Sequence, residues 1–427
     1  MEQTEKKQYA LDNSAVIHMA SKRKHYTNSF RISVTLTEQV CPVILQKALE
    51  HIMARFPTII AGIKRGDFEY EVVPVNEPPV VCLDQEYLAD MGEDTIQACA
   101  MRILYREKKI SAEIFHALTD GYGGLVFMRA LMMEYFCLKY GMNARKTEKE
   151  WAEESGDGEE KVRDDFLTYA GTKTAHVNHR KVYGIPDEGG KEKPKINVMT
   201  GIYSVQEVLE IAHRFGVSLT TFLTAVMAAS VIEMEKRRRD EENYETIQIM
   251  VPVNLRKRFP SVSVRNFSLY ALPYVEPCEF QLPFGTLVKK INERMSRELS
   301  REHLTGMIST NVKLQKMRLV RSIPLKVREA LLRFCFRFFG ERNSCLTLSN
   351  LGEVSFPDEI QRYMERVEVI LSPRRNAPYN CGVVSYQGNL YINFSRKAGR
   401  KELEEIFFEN LAVLGCSGKF ELDGKVQ

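Results

Sequence analysis

Two short, mostly apolar runs, Met101-Arg-Ile-Leu-Tyr105 and Ile110-Ser-Ala-Glu-Ile-Phe115, flank the charged Arg106-Glu-Lys-Lys109. Two strand-length apolar runs on either side of a short charged connection predict a β-hairpin. Directly downstream, Leu125, Met128, Leu131, Met132, Tyr135 and Phe136 recur at helical spacing, so a helix is expected over 121–140, opened by Gly121-Tyr-Gly-Gly124. The same reading places a strand at about 30–37, a helix at about 42–54 and strand pieces near 58–73.

A second strand–helix series begins at Ile196. It comprises helices near 204–214 and 218–235, strands near 245–252 and 267–274, and helices across about 281–318. Strands near 345–350, 366–371, 380–386 and 389–396 follow, with a closing helix near 401–414. Between the two series the composition changes: Lys146 to Lys161 is densely charged and Glu188-Gly-Gly-Lys-Glu-Lys-Pro-Lys195 is loop material. Residues 143–195 therefore read as a charged linker between an N-terminal part, 1–142, and a C-terminal part, 196–427, with Asp165-Phe-Leu-Thr-Tyr169 packing locally. Alternating strands and helices of these lengths suit an α/β (α+β) fold, with helices packed on mixed, largely antiparallel sheets. No sequence repeat relates the two parts.

Composition narrows the partners without naming one. At 427 residues two domains are the default. Sixty basic against 56 acidic residues leave +4, too little to make nucleic acid the principal partner. Nine scattered cysteines without a C-x-x-C pair favour a reducing compartment. The polar start, Met1-Glu-Gln-Thr-Glu-Lys-Lys7, carries no apolar signal region, and the cytoplasm is the expected location. Phe215 to Ile232 is free of charge, but Ser218, Thr220, Thr221, Thr224 and Ser230 make a buried helix the better reading than a membrane span. From Leu319 to Arg342, an apolar face of Leu319, Ile323, Val327, Leu331, Phe334 and Phe338 opposes Arg321, Lys326, Arg328, Arg333 and Arg337, with Pro324 interrupting. Such a segment either touches a membrane surface or an anionic partner, or is a partly buried helix with a solvated basic face.

The stretch that places chemistry is His116-Ala-Leu-Thr-Asp120-Gly121, where the predicted hairpin gives way to the predicted helix. An imidazole with a pKa near ~6.5 takes a proton at neutral pH. A histidine at a strand end is also a common structural residue, and Asp-Gly serves equally as a turn and helix cap. His176-x-x-His179 has no further ligands nearby and reads as solvated, so no metal site is expected. Gly121-x-Gly-Gly lacks the Lys-Ser/Thr of a phosphate loop, and no G-x-S-x-G nucleophile elbow occurs.

His116 to Gly121 resembles the HxxxDG signature of the chloramphenicol-acetyltransferase-like, condensation-domain superfamily, and other segments agree in order along the chain. Gly216-Val-Ser218 with the apolar stretch to Val231 is similar to the element that opens the second half of these enzymes. Val251-Pro-Val-Asn-Leu-Arg256 with Arg265-Asn-Phe267 resembles the segment carrying an arginine and then an Asn-containing strand. Ser349-Asn-Leu-Gly352 is similar to a late strand lining the reaction channel, and Glu50-His-Ile-Met-Ala-Arg-Phe-Pro57 looks like the helix ending in a Phe-Pro turn. Phe115 stands where condensation domains usually carry a second His, and the plant D-F-G-W-G signature is absent, so bacterial alcohol O-acetyltransferases are the nearest resemblance.

The resemblance implies two chloramphenicol-acetyltransferase-like subdomains forming a pseudo-dimer, with a reaction channel at their junction. It implies His116 as general base and Asp120 paired with Arg256 to hold the loop, while Gly121 permits a sharp turn. Ser349 and Asn350 would donate hydrogen bonds to substrate or oxyanion. The implied reaction moves an acyl group, expected to be acetyl, from acyl-CoA as co-substrate to a small-molecule alcohol, with no permanently bound cofactor and a monomeric enzyme. An acyl carrier protein as donor, in a condensation-type or polyketide-associated acyltransferase, and a non-catalytic binding protein of the same fold are the alternatives.

Overall fold

The computed structural model describes residues 9–22, 27–142, 158–175, 180–186, 195–316, 323–335, 343–375, 377–397, 399–422 and 425–426. The first part of the chain contains strands β1 (Tyr9–Ala10), β2 (Ser29–Leu36), β3 (Ala61–Arg65), β4 (Tyr70–Pro74), β5 (Cys82–Leu83), β6 (Met101–Arg106) and β7 (Lys109–Phe115). Its helices are α1 (Asn13–Ser21), α2 (Pro42–Ile52), α3 (Glu93–Ala98) and α4 (Gly121–Tyr140), and α5 (Asp165–Tyr169) follows in the charged connection. The second part contains β8 (Asn197–Ser204), α6 (Val205–Arg214), α7 (Leu219–Lys236), β9 (Ile247–Asn254), β10 (Ser268–Ala271), β11 (Tyr274–Val275), α8 (Phe284–Glu298) and α9 (Arg301–Lys316). It ends with α10 (Leu325–Cys335), β12 (Leu346–Glu353), α11 (Asp358–Gln361), β13 (Met364–Leu371), β14 (Tyr379–Tyr386), β15 (Asn389–Arg396), α12 (Glu402–Val413), β16 (Gly418–Leu422) and β17 (Lys425–Val426).

The hairpin expected at 101–115 is β6–β7, with Arg106 paired to Lys109, so the turn shrinks to Glu107 and Lys108. Glu107 takes the left-handed backbone (φ 52°) that so tight a connection demands. The predicted 267–274 strand is two pieces, β10 and β11, both antiparallel to β9. The structure is a mixed α/β fold, and most strand pairs are antiparallel. The exceptions in the two large sheets are β5 with β6, and β12 with both β9 and β14.

The sheets do not divide at the 143–195 connection. One large sheet runs β10-β9-β12-β14-β15-β8-β16-β17, but β13, late in the chain, pairs with β2 in the sheet β13-β2-β7-β6-β5. The boundary drawn at 142/196 thus follows chain order rather than sheet membership. The two large sheets meet where β14 crosses β13: a Cβ on Gly382 would lie 2.2 Å from the Val369 carbonyl oxygen, so only glycine allows that approach. Val384, Tyr386 and Tyr391, from the large sheet, are buried in the core that α2 and α4 form with the smaller one. A second core lies between the other stretch of the large sheet and α7, α8 and α12.

Helix α7 is lined by buried residues on nearly every side, from Phe222 to Met234. Its threonines and serine find partners in the helix itself: Thr224 and Ser230 hydroxyls donate to the Thr220 and Val226 carbonyls. Among the described residues no single helix is long and apolar enough to cross a membrane, although α6 and α7 pass that test together as a pair bent by 79°. Within 319–342, helix α10 begins directly after Pro324. Among the described side chains there Leu325 and Glu329 are buried, whereas Val327 and Leu331 are exposed. The reason is docking: Leu325 N donates to the Asp67 carbonyl, Arg328 to the Phe68 carbonyl, and Glu329 pairs with Arg65. Residues 319–322 and 336–342, and His176 with His179, lie outside the described residues.

One buried charge row stiffens the smaller sheet. Arg31 on β2, Glu113 on β7 and Arg102 on β6 are cross-strand neighbours. Arg31 Nε donates to Glu113 Oε1 at 2.9 Å, Arg102 Nη2 to Glu113 Oε2 at 2.6 Å, and the remaining Arg31 donors take Asp84 at 2.7 and 3.0 Å. Arg31 and Glu113 are wholly inaccessible, so removing one partner strands charge away from water. Glu113→Ala is expected to cost about 3–5 kcal/mol, read as a lowered midpoint of urea unfolding.

Candidate active site

The strand β7 ends at Phe115, and its backbone path is fixed by His116 N donating to the Asn28 carbonyl at 3.0 Å. Four residues later Asp120 is the N-cap of α4. Its Oδ1 accepts from Gly123 N at 3.1 Å, as a carboxylate at a helix start should. Its Oδ2 accepts from Arg256 Nη1 at 2.7 Å and from Phe267 N at 2.8 Å. The cap and the ion pair are therefore the same carboxylate.

Arg256 sits in the short 3-10 turn Leu255–Lys257 that follows β9. Its guanidinium is fully engaged. Nε donates to the Ser263 carbonyl at 3.0 Å, Nη2 to the Arg265 carbonyl at 2.6 Å, and Nη1 is shared between Asp120 and Asn254 Oδ1 at 3.2 Å. It also lies 4.4 Å from the Tyr122 ring centroid. The residues Arg265-Asn266-Phe267 then hold four different neighbours. Arg265 donates to the Ala10 carbonyl, Asn266 to the Ala117 carbonyl and Asp12, and Phe267 N to Asp120. Asp12 is the N-cap of α1, accepting from Ala15 N at 2.8 Å, so this segment clamps both α1 and the histidine loop.

The His116 ring is half-buried. It stacks on His18 of α1, centroids 4.3 Å apart and planes 12° off parallel, and meets the Phe30 ring edge-on at 5.1 Å. Burial pulls its pKa below the ordinary imidazole value. Its own backbone carbonyl, Asp120 and the Asn266 carboxamide pull the other way. His18 is held well below that value too, by burial and by the neighbouring charges of His116 and Arg374. His116 Nδ1 and Asn266 Oδ1 are both buried without a hydrogen-bond partner. The site therefore presents a ring biased toward its neutral form, with one nitrogen shut in. His18 is the residue the sequence reading missed: its only signal was a histidine in a short amphipathic stretch 98 positions away.

Gly121 and the β12 pair sit in different surroundings. Gly121, expected to permit a sharp turn, is the first residue of α4. Its lack of a Cβ makes room for Leu351, whose Cδ2 would be 2.6 Å away. The stricter requirement is two residues on, where a Cβ on Gly123 would stand 2.2 Å from the Val264 carbonyl oxygen. Asn350, expected to face substrate, instead spends its carboxamide locally. Nδ2 donates to Thr220 Oγ1 at 3.0 Å and Oδ1 accepts from Gly352 N at 2.8 Å. Ser349 lies on β12 one pleat from Leu351, so both side chains take the face turned toward Gly121. Its hydroxyl has no hydrogen-bond partner among the described residues. Among the described residues no three His, Cys, Asp or Glu side chains are gathered as metal ligands.

Asp120→Ala and Arg256→Ala are each expected to destabilise the protein by about 3–5 kcal/mol. In the double variant the costs should fall short of additivity by about 0.5–3 kcal/mol, as measured in a double-mutant cycle of chemical unfolding.

No family model matches the chain, and no curated protein matches it by sequence. Solved structures do match along its whole length. TRI101 of F. sporotrichioides, solved with coenzyme A and T-2, superposes with a TM-score of 0.64 at 12% identity, over 97% of this chain and 99% of that one. The TRI3 trichothecene 15-O-acetyltransferase of Fusarium sporotrichioides gives 0.60 at 10% identity over 95% of each. The starter condensation domain of rhizomide synthetase RzmA gives 0.51 at 14% identity over 96% of each. The chain shares the fold of these acetyltransferase and condensation-domain structures.

Proposed function

We propose that this protein is an O-acyltransferase that moves an acyl group, acetyl in the simplest case, from a CoA thioester directly to an alcohol. The observation that carries the reading is the His116 imidazole, its pKa lowered by burial, on a loop that the Asp120–Arg256 pair locks in place. The O-acetyltransferase named among the similar structures and the coenzyme A in another support it.

In this mechanism His116 Nδ1–H points to Asn266 Oδ1, pairing the two orphaned atoms and leaving the Nε2 lone pair to act as base. Nε2 takes the alcohol proton as the oxygen attacks the thioester carbonyl. The tetrahedral intermediate then collapses, the C–S bond breaks, and the imidazolium returns the proton to the leaving thiolate. Ser349, with an uncommitted hydroxyl on the face toward Gly121, is the donor for the developing oxyanion. Asp120 and Arg256 act only by holding the loop, since both carboxylate oxygens and every guanidinium nitrogen are already engaged. One chain suffices, because it supplies both sides of the site.

The carrier-protein alternative draws on the condensation domain among the similar structures. Phe115 is fully buried in the core, so no group at that position reaches substrate, and the second imidazole comes from α1 instead. The two donors separate in one assay. With acetyl-CoA and a panel of alcohols, free thiol should appear with the wild-type protein, and His116→Ala should lower the rate by about 10²–10⁴-fold. Turnover only with an acylated carrier domain would replace CoA as donor. Equal rates for wild type and His116→Ala would remove the general base.

The pH dependence follows from the direction of the shift. A depressed pKa keeps His116 unprotonated below the free imidazole value, so the acid limb of kcat/KM is expected to lie below pH ~6.5. The same sign governs stability. His116 and His18 bind protons more readily unfolded than folded, so their contribution is complete above pH ~6.5 and is lost as pH falls below it. His18→Phe, which keeps a flat ring against His116, should retain more activity than His18→Ala when kcat is compared across the same pH range.

A further inference from the structure

A cavity of about 250 Å³ lies away from the histidine pair, between β9–β11 of the large sheet and the helices α8 and α9. Its wall is built around Tyr274, whose ring is sandwiched between two guanidinium groups, Arg180 at 3.7 Å and Arg294 at 4.0 Å from the centroid. Arg294 is a structural prop. Two of its nitrogens donate to the two Glu279 oxygens at 2.8 Å each, and it also bonds the Tyr274 carbonyl. Arg180, apart from its stacking on Tyr274, and Arg297 have no hydrogen-bond or ion-pair acceptor among the described residues, and His303 lines the same wall. The carboxylate in the lining, Glu298, is engaged by Leu272 N, which donates to it at 2.5 Å.

A second observation points to a ligand. Gln248 lines the cavity, is almost wholly buried, and donates through Nε2 to the Asn343 carbonyl, yet its Oε1 is buried with no partner. An unpaired buried amide oxygen costs about 1–3 kcal/mol, and an N–H or O–H arriving from a ligand would satisfy it. Leu272, Met307 and the tyrosine rings make the remaining surface apolar.

We infer that this cavity seats an anionic oxygen group, carboxylate or phosphate, on a small organic molecule that also carries an N–H or O–H donor. Arg180 and Arg297 grip the anion, and Gln248 takes the donor. Helix α9, which carries His303 and Met307, also packs on α1, the helix that carries His18. On the acyltransferase reading the bound anion is part of an acyl-transfer substrate, whereas the binding itself does not rest on that reading. Two sources share the chemistry, the phosphates of the coenzyme and an acid group on the alcohol.

Calorimetry on the full chain tests this, with coenzyme A, dephospho-coenzyme A lacking the 3′-phosphate, and hydroxy acids paired with their methyl esters. The expected result is one anionic probe binding more tightly than its less charged partner. Arg180→Gln and Arg297→Gln should each abolish that preference through a loss of about ten- to a hundredfold in affinity, with the unfolding midpoint unchanged. A preference within the coenzyme pair assigns the cavity to the donor, and one within the acid–ester pairs assigns it to the acceptor. Affinities indifferent to both arginines, or no charge preference in any pair, overturn the inference. His116→Ala should bind as wild type does. Anion binding by the wild-type protein without thiol release would sink the acyltransferase reading alone. Thiol release indifferent to the arginines would sink only the cavity.

Discussion

The buried contact between Asp120 and Arg256 is the constraint on which the site's geometry depends. It joins residues 136 positions apart, with both side chains almost excluded from water. A guanidinium so placed is tolerable only if every nitrogen has an acceptor, and here the chain from 254 to 265 bends round Arg256 to supply them. That bend in turn sets Phe267 N on the same carboxylate and brings Asn266 beneath the imidazole loop. One ion pair thus fixes the start of α4, the end of β7 and the course of the segment after β9. Displacing any of them by an ångström would leave charge stranded, which is why the loop has little freedom.

Most regular elements near the site were legible because their burial is one-sided. The helix 121–140 carries apolar positions at an unmistakable period and the hairpin 101–115 two apolar runs about a charged turn, and the structure reproduces them almost residue for residue. Strand β8 was not read as a strand because five of its eight residues, on both faces, are buried and Gly201 interrupts the pattern. The place of β13 in the smaller sheet could not be read at all. Its alternation shows a strand, but its partner β2 lies more than three hundred residues earlier.

The site was legible in its charged pair and less so in its polar ones. Asp120 and Arg256 each had one chemistry open to them in a buried setting, and the structure brings them together. The two readings of Asp-Gly, helix cap or charge partner, turn out to be compatible, because a carboxylate has an oxygen for each. Asn350 had many alternatives, and a turn donor and a threonine hydroxyl on α7 claimed it. For Gly121 and Gly123, the sequence shows the missing side chain but not the neighbour that needs the space: a pliable leucine in one case, a backbone carbonyl in the other.

The stacked imidazoles tie the beginning of the described chain to its chemical centre. Helix α1 holds to the body through Asp12, Ala10 and the 265–267 segment, and it places His18 flat against His116. An affinity tag, a cleavage scar or a trimmed start within the first two dozen residues is therefore not a neutral laboratory choice. Material prepared that way could fold, purify and crystallise normally while lacking one face of the ring at which acyl transfer is proposed to occur.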